Sequence, residues 1–289
     1  MKTDARKLFR ELVSGDEIIT LVGAFDAFSA AIVQQAGFKA IWAGGSAIHT
    51  SMGYPDCGLA TMTEILARVK TMTDFVKIPV IVDCDTGYGG PIQLMRTVKE
   101  FEAIGVAGIV IEDQPTELKR HCYKQTKAVS REEMVKKIEA AVEAREDKDF
   151  VIIARTDTRL PFGLEESLER GKLYAKAGAD IVFPILLPSV EELRLAIDSI
   201  GAPIMTAPVI GYTSLFTVQE LQDIGVKVIL FSSTPQLAAG KTIQALMQVI
   251  KETGSDEGFH DRMMTYEERE TLVGYPTIFK HQTKFIEGK

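Results

Sequence analysis

Cysteine is scarce in this chain. Cys57, Cys84 and Cys122 are three among 289 residues, an odd number with neither CxxC nor zinc-finger spacing. A disulfide framework is therefore not expected, and such usage belongs to a reducing compartment, which makes the cytoplasm the expected location. Positive charge is in short supply too: 33 Lys and Arg face 40 Asp and Glu, for a net charge of −7. A nucleic-acid partner needs a basic face to neutralise phosphates, so none is expected. No run approaches the ~20 apolar residues of a membrane span. The first residues, MKTDARKLFRELVSGDE, are charged and helix-like and lack the apolar core of a signal peptide, so no membrane partner is expected either. Low-complexity segments and interdomain linkers are missing, and no GxGxxG follows the first apolar run, which removes the fingerprint of a dinucleotide-binding open sheet.

What the chain does have is a hydrophobic content of 46%, enough to fill a sizeable core at this length. It also has a recurring phrase, in which a helical stretch ends in glycine and runs at once into a short apolar strand: QQAG37-FKAIW, AIG105-VAGIVI, KAG178-ADIVF, SIG201-APIM and DIG225-VKVILF. Glycine just past a helix is the usual left-handed cap, so each phrase marks a helix-to-strand junction. Apolar runs at residues 18–22, 78–82 and 151–154 bring the candidate strands to eight, spaced as βα units are. The expected fold is a parallel (β/α)8 barrel of the TIM type, with a doubly wound open sheet as the alternative. One domain is expected over residues 1–289: the barrel to 254, closed by a helix over 235–254, and a helical C-terminal extension over 255–289 that packs on its own barrel or on a neighbouring subunit.

Residues 81–90, IVDCDTGYGG, carry an apolar strand straight into two carboxylates, Asp83 and Asp85, and then into glycines. Acids at i and i+2 project from one side of an extended chain, where they repel unless a cation or a proton lies between them. The pattern recurs as Gly108-Ile-Val-Ile-Glu112-Asp113 and as Val151-Ile-Ile-Ala-Arg155-Thr-Asp157. Magnesium takes oxygen ligands, keeps several waters and is commonly held by one or two carboxylates. Asp83 is the candidate direct ligand, with Asp85, Glu112 and Asp56 holding its waters. Taken singly, each acid could equally be a salt-bridge partner or a helix cap; on consecutive strands they favour a metal.

Arg155 offers a planar fork matched to a carboxylate or phosphonate, or else it neutralises the acids. Gly44, Gly45 and Ser46 present unobstructed backbone N–H groups suited to an oxyanion or carboxylate, or else form a plain tight turn. Tyr88 is at least as suited to packing as to catalysis. His49, His260 and His281 have no ligand-like neighbours in sequence and read as structural. His121 and Cys122 differ, because they lie in the long polar stretch QPTELKRHCYKQTKAVS, residues 114–130, which reads as a functional lid.

In order and spacing, Tyr54-Pro55-Asp56, DCDTGYGG, Ile111-Glu112-Asp113-Gln114, Lys119-Arg120 with Lys127, and Ile153-Ala154-Arg155-Thr156-Asp157 resemble the isocitrate lyase and phosphoenolpyruvate mutase superfamily. The nearest pattern looks like its short methylisocitrate lyase and carboxyphosphonoenolpyruvate mutase branch. The resemblance implies Mg²⁺, with Mn²⁺ as a substitute, and a metal-bound enolate of pyruvate or a related 2-oxo acid. It also implies a homotetramer, a dimer of helix-swapped dimers, and a catalytic set of Asp56, Lys119, Arg155 and a lid residue. The lyase lid motif is KRCGH, whereas this chain reads Lys-Arg-His-Cys-Tyr from Lys119, so His121 stands on the cysteine position and Cys122 on the glycine.

Two further departures point to the substrate. Ile185 stands where the lyases carry a glutamate, and Thr206-Ala207-Pro208-Val209-Ile210 replaces a segment bearing Asn and Glu. A site that loses polar partners rejects a polyhydroxylated or tricarboxylate substrate, so a smaller or more apolar one than methylisocitrate is expected. The leading expectation is a Mg²⁺-dependent lyase cleaving a C–C bond of a short 2-hydroxy or 2-oxo carboxylate. The alternatives are a mutase or hydrolase acting on the P–C bond of a phosphonopyruvate-like substrate, and a binding protein that keeps a 2-oxo acid site without turnover.

Overall fold

The computed structural model describes residues 2–119 and 126–288. Its eight strands are β1 (Ile19–Ala24), β2 (Ala40–Ala43), β3 (Val80–Asp83), β4 (Gly108–Glu112), β5 (Val151–Thr156), β6 (Ile181–Pro184), β7 (Met205–Thr206) and β8 (Val228–Phe231). Each falls on one of the eight apolar runs. They pair in parallel in the order β6-β5-β4-β3-β2-β1-β8-β7, and a single bridge, Val182 with Ile204, brings β6 against the segment leading into β7. The result is a nearly closed barrel with helices outside, as expected. β7 has only two residues because Pro203 and Pro208 flank it, and proline cannot donate to a sheet.

The five glycines of the recurring phrase all adopt positive φ, from +79° at Gly201 to +101° at Gly178. The chain can therefore leave a helix and enter a strand without a Cβ clash. Among the helices are Met62–Phe75, Pro91–Ala103, Arg131–Ala144 and Leu164–Lys176. The first of these begins with a reciprocal cap between Thr61 and Glu64, which satisfies two otherwise orphaned donors.

Two cores follow from the alternation of strand side chains. The outer one, between barrel and helices, takes Val80, Val82, Ile109, Ile111 and Ile152. The inner one takes Trp42, Ile81, Val110, Ile153, Phe183 and Leu230, with Phe9 of the N-terminal helix Lys2–Ser14 packed among them. Continuing the inward parity two residues past Ile81, Val110 and Ile153 reaches Asp83, Glu112 and Arg155. The strand period that packs the barrel interior thus also aims these three charges into its C-terminal mouth, the end at which barrels of this kind carry their sites. Register keeps them together, since Glu112 pairs with Arg155 and Arg155 with Phe183.

The connection after β4 is pinned at its base, where Val129 N donates to Asp113 O at 2.8 Å. After β8 the helix Thr234–Thr253 has no buried residue. Most of the apolar side chains that follow it are exposed, among them Tyr266, Phe279, Phe285 and Ile286.

Candidate active site

Asp83 ends β3, and the chain then turns sharply: Asp85 has φ +50°, Gly87 +88° and Tyr88 +59°. The left-handed turn keeps Asp85 beside Asp83 instead of flipping it outward, and Asp85 N donates to Asp83 Oδ1 at 3.0 Å. Both carboxylates are buried. Gly45, at the start of the short helix Gly45–Ser51 after β2, lies against them. A Cβ there would come within 3.0 Å of Asp85 Oδ1 and 3.2 Å of Asp83 Oδ2, so only glycine leaves this space open.

Lys119 reaches into the cluster from the β4 connection. Its ammonium bonds Asp85, lies 2.7 Å from Asp56 Oδ1 and stands 4.0 Å from Glu112 Oε1. Burial disfavours that charge, yet Glu112, Asp85, Asp83 and Asp56 together hold the Lys119 pKa well above the ordinary lysine value. Glu112 is fully buried, accepts from Gln114 Nε2 at 3.1 Å and lies 3.4 Å from Arg155 Nη1. Burial pushes its pKa well up despite Arg155 and Lys119, and burial likewise raises that of Asp85, with Lys119 opposing.

Arg155 is not a free clamp. Its Nε and Nη2 fork onto Asp157 at 2.9 and 2.7 Å, and its guanidinium lies 5.7 Å from the Phe183 ring centroid. The Nη1 edge is left for Glu112 and for the cavity. Both of its alternative roles therefore meet in one side chain: it neutralises acids and still lines the pocket.

That pocket, about 320 Å³, has two halves. Asp56, Asp83, Gln114, Lys119 and Arg155 form the charged one. Phe183, Ile185, Ala207, Pro208, Val209, Ile210, Leu230 and Leu237 form the apolar one, and Trp42, Ser46, Tyr212 and the hydroxyl residues Ser232, Ser233 and Thr234 after β8 close the wall. Ser46 thus lines the cavity, while Gly44 acts as the helix cap, where an added Cβ would meet Trp42 Nε1 at 2.7 Å. Ile185 and Val209, singled out as departures, face the cavity from the ends of β6 and β7.

His49 corrects the sequence reading. Its imidazole is fully buried, with Nδ1 3.7 Å from Asp56 Oδ1 and Nε2 3.5 Å from Asp85 Oδ2. Burial works against its charge, but Asp56 and Asp85 outweigh it and raise its pKa. It belongs to the acid cluster, and the signal available was its place on the helix after the Gly44-Gly45 turn, seven residues before Asp56. Tyr88 stacks on Phe101 with centroids 6.5 Å apart, a packing role, and its buried hydroxyl has no partner among the described residues. His260 and His281 lie on the exposed C-terminal extension. His121 and Cys122 lie outside the described residues.

Asp56, Asp83, Asp85, Glu112 and Asp157 bring five carboxylates against the two cations Lys119 and Arg155. Asp85 Oδ2 and Glu112 Oε2 are buried without a hydrogen-bond donor among the described residues. Excess negative charge, buried carboxylate oxygens that accept no hydrogen bond and the Cβ-free space at Gly45 fit a divalent cation. No three His, Cys, Asp or Glu among the described residues converge as a ready cage.

Against known proteins, the family model described as phosphoenolpyruvate phosphomutase matches residues 9–251. The chain is 38% identical over 269 residues to 2-methylisocitrate lyase of Aeropyrum pernix, covering 93% of this chain and 87% of that one. It is 37% identical to 2,3-dimethylmalate lyase of Eubacterium barkeri over the full length of both. Among solved structures, phosphoenolpyruvate phosphomutase from Streptomyces platensis subsp. rosaceus superposes with a TM-score of 0.92 at 28% identity, covering 98% and 99% of the two chains. Phosphonopyruvate hydrolase in complex with oxalate and Mg²⁺ superposes with a TM-score of 0.88 at 25% identity, covering 98% and 99%. An inward ring of acids at the mouth of a parallel barrel and a family match over most of the length lead to one conclusion: the chain belongs to the phosphoenolpyruvate phosphomutase family of enzymes, within the phosphoenolpyruvate mutase and isocitrate lyase superfamily.

Proposed function

We propose that this chain is a carbon–carbon lyase acting on a short 2-hydroxydicarboxylate of the malate type that carries alkyl substituents. The observation that carries the reading is the two-sided cavity, charged along β3 to β5 and apolar at the ends of β6 and β7, where Phe183, Ile185, Ala207, Pro208 and Val209 line it. A diacid with a hydrocarbon flank matches both halves. A tricarboxylate would bury a carboxylate against Ile185 and Val209 without a partner, at a cost of several kcal/mol. The full-length likeness to a 2,3-dimethylmalate lyase supports the same class.

In the cleavage, the 2-hydroxyl loses its proton and the C2–C3 bond breaks. C2 becomes the keto carbon of a 2-oxo acid, and C3, left with the electron pair, takes a proton to give a simple carboxylate. Arg155, oriented by Asp157, anchors a substrate carboxylate through its Nη1 edge. Lys119, held by Asp56 and Asp85, places a positive charge where the substrate oxygens gain negative charge. Asp56, which lines the cavity with buried His49 behind it, accepts the hydroxyl proton, and His121 or Cys122 of the lid delivers the proton to C3. Asp83, with Asp85 and Glu112 acting through waters, would hold Mg²⁺ or Mn²⁺, which when bound supplies Lewis-acid stabilisation of that developing charge. The protein works in the cytoplasm, as a homotetramer.

The test is release of 2-oxo acid from 2- and 3-alkylmalates, 2-methylisocitrate and phosphonopyruvate, with Mg²⁺ and with chelator. An alkylmalate is expected to exceed methylisocitrate in kcat/KM by at least ~10-fold, with chelator abolishing release. Turnover confined to phosphonopyruvate would replace the reading with P–C chemistry. Silence on every compound, with oxalate still binding, would leave a non-catalytic 2-oxo acid binder.

A further inference from the structure

The turn that carries Asp85 runs through a backbone region that side-chain-bearing residues rarely adopt. Such a turn persists only where its surroundings over-determine it. Its four carbonyls show how. Cys84 O accepts from Gly87 N at 2.8 Å and Asp85 O from Glu112 N at 2.8 Å. Gly87 O accepts from Thr97 Oγ1 at 3.1 Å. The fourth, Thr86 O, accepts from the ammonium of Lys137.

That ammonium is an unusual choice of donor. Lys137 lies on the helix Arg131–Ala144 and is only 2% exposed. Among the described residues no carboxylate lies in ion-pair range of it. Burying an ammonium is costly, and a methionine would fill nearly the same space without that cost. Hydrogen bonds from a charged donor are shorter and stronger than neutral ones, and this one orients the peptide after Thr86 just as Glu112 N orients the peptide after Asp85. The bond also ties the turn to the first helix after the polar connection of residues 114–130.

We propose that Lys137 is a positioning residue, whose ammonium holds the left-handed turn through Thr86 O and so keeps the Asp85 carboxylate facing Lys119 and His49. Its effect on catalysis rests on the lyase function proposed above; its effect on the turn does not.

The experiment compares full-length wild type, K137M, K137R and K137Q by hydrogen exchange of a peptide spanning residues 81–95, with the β5 peptide as internal reference, and by kcat and KM on the substrate that the release screen identifies. In K137M the turn amides are expected to exchange at least ~10-fold faster while β5 is unchanged, and kcat to fall ~30–100-fold with KM within ~3-fold. K137R keeps a charged donor and is expected within ~10-fold of wild-type kcat, with near wild-type protection. If K137M does not fold, K137Q replaces it, with exchange and kcat expected between those of wild type and the losses above. The proposal is overturned if K137M, or K137Q in its place, matches wild type in turn protection and kcat, or if K137R is as impaired as K137M. With no turnover on any substrate the lyase reading falls, and the exchange result alone decides the positioning role.

Discussion

Lys119 carries the counter-charge of the acid cluster, with Asp56, Asp85 and Glu112 all within 4.0 Å of its ammonium. Removing one partner of a buried ionic group costs about 3–5 kcal/mol, because the remaining charge is stranded. K119M is therefore expected to lose about that much stability at neutral pH in urea denaturation, along with turnover. The sign of its pH dependence follows from the acids left behind. Burial already raises the pKa of Asp85 and Glu112, and losing the ammonium raises them further. In K119M these groups take up protons more readily folded than unfolded, so the deficit is largest above their raised pKa values and shrinks as pH falls toward the ordinary carboxylate range. A deficit unchanged between neutral and mildly acid pH would show that Lys119 acts by packing alone. That Asp83, Glu112 and Arg155 gather at strand ends was legible because strand ends are local properties, whereas the place of Asp85 came from the left-handed turn. His49 was not legible: its immediate neighbours are not acidic, and Asp85 reaches it only once β2 and β3 lie side by side.

Among the elements, Glu166 bridges two helices. It accepts from Arg131 at the start of the helix Arg131–Ala144 and, at 2.7 Å, from Arg170 Nε one turn along its own helix. Arg170 in turn bonds Asp113 Oδ2 at 3.2 Å, at the end of β4. The hydrogen bond from Arg131 lowers the Glu166 pKa, with burial opposing and Arg170 assisting. A depressed carboxylate contributes stability above its unfolded pKa and loses it as pH falls through the folded one. E166Q is accordingly expected to cost about 1 kcal/mol at pH 7, the pair being partly exposed. The difference from wild type should begin to shrink as pH falls below the ordinary glutamate value of about 4.3 and vanish below the depressed folded one, checked by urea midpoints across that range; a constant difference would mean the charge is irrelevant. The elements themselves were readable because glycine caps and apolar runs are short-range signals. The brevity of β7 and the apolar wall it helps to form depended on where Pro203 and Pro208 meet the sheet.

Across the whole molecule, the helix Thr234–Thr253 leaves Leu237, Ile243 and Met247 more than half exposed. The extension beyond it adds Tyr266, Phe279, Phe285 and Ile286. Apolar surface on this scale marks association, and no helix among the described residues is long and apolar enough to cross a membrane. Light scattering after gel filtration is expected to give four times the 31.8 kDa chain mass, and deletion of residues 255–289 a smaller species. A full-length monomer would remove the helix-swapped homotetramer.

By itself the sequence determined the eight parallel strands, the charged ends of three of them and the family, because period, caps and motif spacing are written over a few residues at a time. Only the tertiary structure decided that Lys119 lies among three carboxylates, that Arg155 is already forked onto Asp157, that His49 joins the site and that Lys137 braces the Asp85 turn. The longest of them, Lys119 to Asp56 and Asp85, His49 to Asp85 and Lys137 to Thr86, join residues tens of positions apart, and even the short-range fork of Arg155 onto Asp157 takes its place only when the barrel has brought the strand ends to one mouth.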